Sequence, residues 1–179
     1  MIETTLKDKV PPHDIEAERA VLGALLLNWG AMGDVIGKLR PERFYSLQNQ
    51  VIFEALTELF SHNIQGDTLT LVDQLRKNNK LEQAGGTAYI ASLTDTVPSS
   101  ANIEYYADIV LDRATRRDLI KISSELKAES FELGRESTAL LDTAEQRIFA
   151  LAERNETTVI HDARNIMIKE IEIIDARYN

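Results

Sequence analysis

The sequence predicts an all-α protein: a compact multi-helix globular domain, then a projecting antiparallel helical hairpin, then a C-terminal linker with an amphipathic helix. Three observations carry this. The helix formers Ala, Leu, Glu and Lys dominate, and alternating runs of β-branched residues are few. Only 8 Gly and 4 Pro are spread through 179 residues, too few for low-complexity linkers. Apolar residues recur at helical spacing in one segment after another, most extensively from Ala101 to Arg154. The expected divisions are a flexible tail over 1–10, the globular domain over 11–100, the hairpin over 101–154, and the linker and terminal helix over 155–179.

Taken in order, Pro11-Pro12-His13 fixes an extended lead-in. Asp14 caps a first helix whose opening turn holds Glu16 and Glu18, the acidic end that a helix dipole favours. Ile15, Leu22, Leu25 and Leu26 form its core stripe. Asn28-Trp29-Gly30 ends it, and a short helix over Ala31 to Lys38 turns Met32, Val35 and Ile36 inward. After the connection Arg40 to Tyr45, Ser46 caps a helix with a strong stripe: Leu47, Val51, Ile52, Ala55, Leu56, Leu59 and Phe60, through Ser61. Asn63 to Asp67 breaks the pattern. Thr70 with Asp73 begins a shorter helix carrying Val72 and Leu75. Gly85-Gly86 is a stop signal, because two glycines weaken a helix and permit left-handed backbone. Thr87 to Leu93 is another brief helix, Thr96 to Ser100 a turn, and Ser100 or Asn102 caps the long helix that follows.

That helix, over Asn102 to Leu133, would be ~48 Å long at ~1.5 Å per residue. A 100-residue domain has a radius of gyration of ~13 Å, so the helix is expected to project. Its apolar face also rotates: Ile103, Tyr106, Ala107, Val110 and Ala114 share one side, Leu119, Ile122, Leu126 and Leu133 another. A helix that changes its buried face changes partner. The first half is expected on the globule and the second on a returning helix, capped by Ser137 or Thr138, with Leu140, Leu141, Ala144, Ile148 and Leu151 as its seam. Ile120, Phe131 and Phe149 fall off those seams, and clustered exposed apolar surface marks an interface. Beyond the polar loop Asn155 to Val159, a final helix carries Ile160, Ala163, Met167, Ile171, Ile174 and Tyr178 on one stripe. Folding back on its own domain and docking on another chain are both open to it.

Chemistry is sparse. The net charge of −9, with no concentrated basic tract, argues against tight direct nucleic-acid binding. Cysteine is absent, which fits a reducing cytosol. The opening nine residues have no signal core, and the apolar run Val21 to Leu27 is far short of the ~20 residues that span a bilayer. A cytoplasmic protein without membrane contact is the expectation. The nearest approach to a phosphate loop, Gly33 to Leu39, is one residue short and lacks the hydroxyl. His13, His62 and His161 are far apart and have no cysteines beside them, so no metal site is expected. No nucleophile elbow occurs, and the carboxylates fall at helix starts and exposed faces. No catalytic, cofactor-binding or metal residue is assigned. The basic cluster Arg113, Arg116, Arg117 and Lys121 reads better as pairing with Asp112, Asp118 and Glu125, or across an oligomer, than as contact with nucleic acid or an acidic partner.

The segment Pro11-Pro12-His13-Asp14-Ile15-Glu16-Ala17-Glu18-Arg19-Ala20-Val21-Leu22-Gly23 resembles the opening of bacterial replicative DNA helicases of the DnaB family. So do Phe44-Tyr45 with Ile52-Phe53, Gly85-Gly86-Thr87-Ala88-Tyr89-Ile90, Ser99 to Ala107, Arg116-Arg117-Asp118-Leu119-Ile120, and Asp142 to Phe149, in the family's order. Asn49 departs from it, since the family often has His after Phe-Tyr. The resemblance implies an N-terminal domain with its linker helix, without cofactor of its own; ATP and Mg belong to a RecA-like motor domain missing here. It implies dimers through the hairpins, a collar of three such pairs in a hexameric ring, the C-terminal domain of primase as partner, and a helicase loader as a further candidate. The interface residues it suggests are Ile120, Leu126, Phe131 and Phe149, with Tyr89 from its place in Gly-Gly-Thr-Ala-Tyr. Ile160, Met167, Ile171 and Ile174 would dock the linker helix on a neighbouring motor. The alternative reading is a free-standing helical adaptor or regulator with no motor.

Overall fold

Several helix ends in the first hundred residues are fixed by chemistry written locally. Asp14 accepts a hydrogen bond from the Ala17 N–H at 3.0 Å and opens α1 (Ile15–Leu27). A 3-10 turn over Trp29–Ala31 leads into α2 (Met32–Lys38), which contains the glycine-rich segment rejected as a phosphate loop. Then come α3 (Leu47–Ser61), α4 (Thr68–Lys77), α5 (Gly86–Asp95) and α6 (Ile103–Glu129). Residues 137–153 form α7. This computed structural model describes residues 9–95, 100–134 and 136–153, all helix, turn or irregular. The tail over 1–8, the turn at 96–99 and everything from Arg154 onward lie outside the described residues, including Ile160, Met167, Ile171 and Ile174.

Three caps differ from expectation. Ser46 makes no side-chain cap; its backbone N–H donates instead to Glu18. The cap of α4 is Asp67, not Thr70. The Thr70 N–H donates to Asp67 Oδ1 and the Asp67 N–H to Thr70 Oγ1, both at 2.8 Å, a reciprocal capping box. In α7 the Leu140 N–H donates to the Glu136 carbonyl, so Ser137 lies inside the helix.

Stops are equally local. Asn63, Asn79 and Gly85 have φ of 54°, 56° and 90°. Each is followed by the paired backbone bonds of a Schellman closure, such as Ile64 N–H to Leu59 carbonyl with Asn63 N–H to Phe60 carbonyl. Only glycine suits Gly85, because a Cβ there would also sit 3.0 Å from that of Tyr89. Gly66 is fixed for a different reason: the Trp29 ring occupies the place of its missing side chain.

By contact the chain divides into two units, Met1–Arg117 and Asp118–Asn179, and the boundary falls inside α6. In the first unit α1 is the centre. Ala17, Glu18 and every residue from Ala20 to Leu25 are buried, so this helix is enclosed on nearly all sides rather than along one stripe. It packs on α3 and α5, while α3 packs on α4. Phe44 and Phe53 meet at 4.9 Å, and Ile52, Leu56, Leu71, Leu75, Ile90 and Leu93 are fully enclosed around them. The first part of α6 closes this core with Ile103, Ala107, Val110 and Ala114.

Among the described residues of the second unit the core is thin, and only Leu151 is buried, at 7% exposure. The unit comprises the end of α6, a connection over 130–136, and α7. Arg147 of α7 reaches Glu125 and Glu129 of α6, while Ala150 and Leu151 border one hollow with Asp118, Lys121 and Ile122. Later residues of α7 therefore meet earlier ones of α6, which is antiparallel order. Helix α6 stops at Glu129, short of the expected Leu133. No single described helix is long and apolar enough to cross a membrane; the bent pair Ile15–Leu27 with Trp29–Lys38 passes on composition, and its α1 half is core.

Candidate protein-interaction site

Two polar assemblies and one apolar surface stand out. The first assembly lies under the Phe44-Tyr45-Ser46 connection. Glu18, only 1% exposed, accepts from Tyr45 N–H at 2.6 Å, Ser46 N–H at 3.2 Å and Asn49 Nδ2 at 2.8 Å. The Asn49 amide oxygen accepts from the Tyr89 hydroxyl at 2.7 Å. A carboxylate buried at this depth needs such donors, since an unpaired one would be very costly. Arg19 lies 5.7 Å over the Tyr89 ring, and burial of the Tyr89 hydroxyl pushes its pKa above the ordinary value. Glu18 lies in the first turn of α1 as expected, but it is buried there rather than solvated. Its angular position, inside the all-round burial of α1, is the signal that a one-stripe reading passed over.

The second assembly gathers three distant segments. Arg117 donates to the Pro12 carbonyl at 2.9 Å and the Arg43 carbonyl at 2.6 Å, and lies 5.7 Å from the centre of the Tyr45 ring. The His13 ring stacks on Tyr45 at 4.3 Å. Pro-Pro-His, Phe-Tyr and Arg-Arg are thus parts of one clasp. Its neighbours follow the ion-pair expectation: Arg113 and Arg116 both reach Asp112, and the Arg116 hydrogen bond holds the Asp112 carboxyl below its usual range. No group of three His, Cys, Asp or Glu among the described residues could hold a metal ion.

The apolar surface lies in the second unit. Ile120 is 51%, Phe131 77% and Phe149 62% exposed, and Leu126 is half-buried. Tyr89 belongs to the first unit, with its hydroxyl and ring engaged there as described.

The seam of α7 is only partly where the apolar pattern puts it. Leu140, Thr143, Ala144, Arg147 and Leu151 are the covered positions, whereas Leu141 and Ile148 are 69% and 52% exposed. Leu133, assigned to the facing seam, is 97% exposed and lies past the end of α6. At ~100° per residue the α7 seam is turned by about 50° from the expected one. Arg147, absent from the sequence-based assignment, is what has turned inward. Its Nη2 lies 2.8 Å from Glu129 Oε1 and its Nη1 3.8 Å from Glu125 Oε2. A two-helix seam covers one narrow face. Leu140 with Leu151 and Leu141 with Ile148 are equivalent pairs, each side chain worth ~1.5–3 kcal/mol when fully buried. Those terms nearly cancel between the two settings, so ion pairs of ~0.2–1 kcal/mol each can decide between them.

Comparison with known proteins places this arrangement. A family model described as "DnaB-like helicase N terminal domain" matches residues 10–112, over half of the chain. The chain belongs to that family. DnaB-type relatives match almost its whole length. The "Replicative DNA helicase DnaB" of Treponema pallidum is 42% identical over 173 residues, 97% of this chain and 40% of the relative. That of Geobacillus stearothermophilus is 32% identical over 96% of this chain and 38% of its own length. The chain therefore spans about 40% of the curated relatives it matches. Among solved structures, the N-terminal domain of DnaB helicase from Mycobacterium tuberculosis superposes with a TM-score of 0.73 at 32% identity, covering 79% of this chain and 99% of that one. A DnaB-like replicative helicase described with its primase interactions shares the fold at TM-score 0.65 and 20% identity, over 84% of this chain and 35% of that one. In this chain the clasp and the Glu18 network bring together Pro12, Glu18, Tyr45, Tyr89 and Arg117, residues from four of the quoted motifs.

Proposed function

We propose that this chain is the non-catalytic N-terminal part of a replicative DNA helicase. Its helical pair holds two copies together in building a hexameric ring, and the resulting platform receives the C-terminal domain of primase. A helicase loader is a further candidate partner, and the cytoplasm is the expected compartment. ATP and Mg would act in a motor domain within the part of the relatives that this chain does not match. The observation that carries the reading is the exposed apolar surface of the second unit, at Ile120, Phe131 and Phe149, beside a core too thin to stabilise two helices alone. Leu126 and Tyr89 are weaker candidates for the same contacts. Docking of a linker helix through Ile160, Met167, Ile171 and Ile174 belongs to this reading too. Structures described with primase interactions, one of them an N-terminal domain of DnaB from Helicobacter pylori, support primase as the partner class.

The test is the double substitution Ile120→Asp with Phe131→Asp in the full chain. Sedimentation should show the loss of self-association while far-ultraviolet dichroism stays helical. An unchanged mass would sink the pairing claim. Titration with a primase C-terminal domain tests the platform separately, with no binding by the wild-type chain as the adverse result. In the gene, an in-frame phosphate loop downstream of Asn179 would agree with this function; a stop codon there would favour the free-standing adaptor.

A further inference from the structure

We infer that the lead-in from Lys9 to His13 is a releasable strap, latched at one point by Arg117 and Tyr45, whose lifting loosens the hold of Tyr45 and Ser46 on Glu18. Pro11 and Pro12 have no N–H to donate and their rings fix the backbone, so the strap is stiff and poor in bonds of its own. Among the described residues its hydrogen-bonding and ring ties to the rest of the chain are two. The Pro12 carbonyl accepts from Arg117 at 2.9 Å, and the His13 ring stacks on Tyr45 at 4.3 Å. The His13 Nδ1 is turned back on the strap itself, 2.7 Å from the Pro11 carbonyl. Little buried apolar surface adds to these ties: Val10 is 67% exposed, and Lys9, Pro11 and His13 are exposed too. A segment held by so few contacts opens far more easily than the whole domain unfolds. Both ties end at one place, since Arg117 also lies 5.7 Å from the centre of the Tyr45 ring. They therefore form and break together. The same place is joined to the core. Arg117 holds the Arg43 carbonyl at 2.6 Å, and the Tyr45 and Ser46 N–H groups donate to Glu18 at 2.6 and 3.2 Å. Lifting the strap uncovers one face of the Tyr45 ring and takes an acceptor from Arg117. A pull on the chain at Val10 is thus passed to the buried carboxylate. The device is a latch between an exposed lead-in and the central polar network of the first unit.

The absence of cysteine makes a direct test available, because two introduced thiols are the only ones. Spin labels on Lys9→Cys and Leu47→Cys, both exposed positions of the full chain, report the strap through the distance between them. With the latch intact the distance distribution should be narrow. Arg117→Ala should raise the lifted fraction about tenfold or more, seen as a broad second population. Hydrogen exchange reads the coupling. His13→Ala removes the stack, and should speed exchange of the Tyr45 and Ser46 N–H groups about three- to tenfold while α4 keeps its rates. A narrow distribution in Arg117→Ala overturns the latch. A broadened distribution in His13→Ala with wild-type exchange at Tyr45 and Ser46 overturns the coupling, and the inference with it. Exchange that rises equally in α4 overturns it as well, since the effect is then global destabilisation. If Arg117→Ala loses helicity, Arg117→Lys takes its place. It keeps the charge without the forked donor, and a narrow distribution there also overturns the latch.

Discussion

Replacing Glu18 tests the central polar network most sharply. Glu18→Ala would leave three buried or part-buried donors without their acceptor: the N–H groups of Tyr45 and Ser46 and the Asn49 amide. Each orphaned donor costs roughly 1–3 kcal/mol. Water entering the space recovers some of this, so the net loss is expected at about 3–5 kcal/mol. Glu18→Gln keeps the shape and one oxygen but brings an amide donor toward other donors, and should cost about 1.5–3 kcal/mol. With a urea m-value of about 2 kcal/mol per molar, the alanine variant should lower the unfolding midpoint by about 1.5–2.5 M and the glutamine variant by roughly half that. Fluorescence of the single tryptophan, Trp29, reports on the same unit. An alanine variant within ~0.5 kcal/mol of wild type would show that these donors are satisfied without Glu18, and the reasoning would fall.

Three further outcomes follow from local geometry. Gly66→Ala should drive a methyl into the Trp29 ring, costing about 1–3 kcal/mol and shifting the Trp29 emission; unchanged emission and stability would disprove the close approach. Arg117→Ala should cost about 2–3 kcal/mol in thermal melts through its two carbonyl bonds, with Arg117→Lys recovering part of it; equal melts would deny the clasp. Asp67 is held below its ordinary value of 3.8, chiefly by the Thr70 N–H. Its folded pKa being the lower one, its stabilising effect is complete above the ordinary carboxylate value and disappears as pH falls through the folded value. Asp67→Ala should therefore lose about 1 kcal/mol near neutral pH, a difference that shrinks as pH falls below the ordinary carboxylate value; a gap constant with pH would refute the cap's dependence on charge.

The helices themselves were legible because their determinants are near in sequence. Asp14 lies three residues from the N–H it caps, and the stripes of α3 and α4 repeat within single elements. The apolar core of the first unit followed from the same periodicities. Glu18 and Asn49 were not legible as a pair, since 31 residues separate them and each reads as an ordinary surface polar residue alone. Arg117 read as one member of a basic cluster because its acceptors are backbone carbonyls, and a carbonyl has no residue identity to recognise.

The sequence by itself determined the all-α class, the places where helices break, and, through the order of its motifs, the family. These depend on local propensity, capping and period, which are properties of short segments. Only the tertiary structure decided that α1 is enclosed on nearly all sides, that three distant motifs meet at Arg117, and that α7 turns Arg147 inward and Leu141 outward. The last is the clearest case. Hydrophobic periodicity locates an apolar face to within about a helical position, because a broad stripe is nearly as well buried at several rotations. Only the structure shows Arg147 meeting Glu129 and Glu125 of the other helix while Leu141 and Ile148 stay exposed.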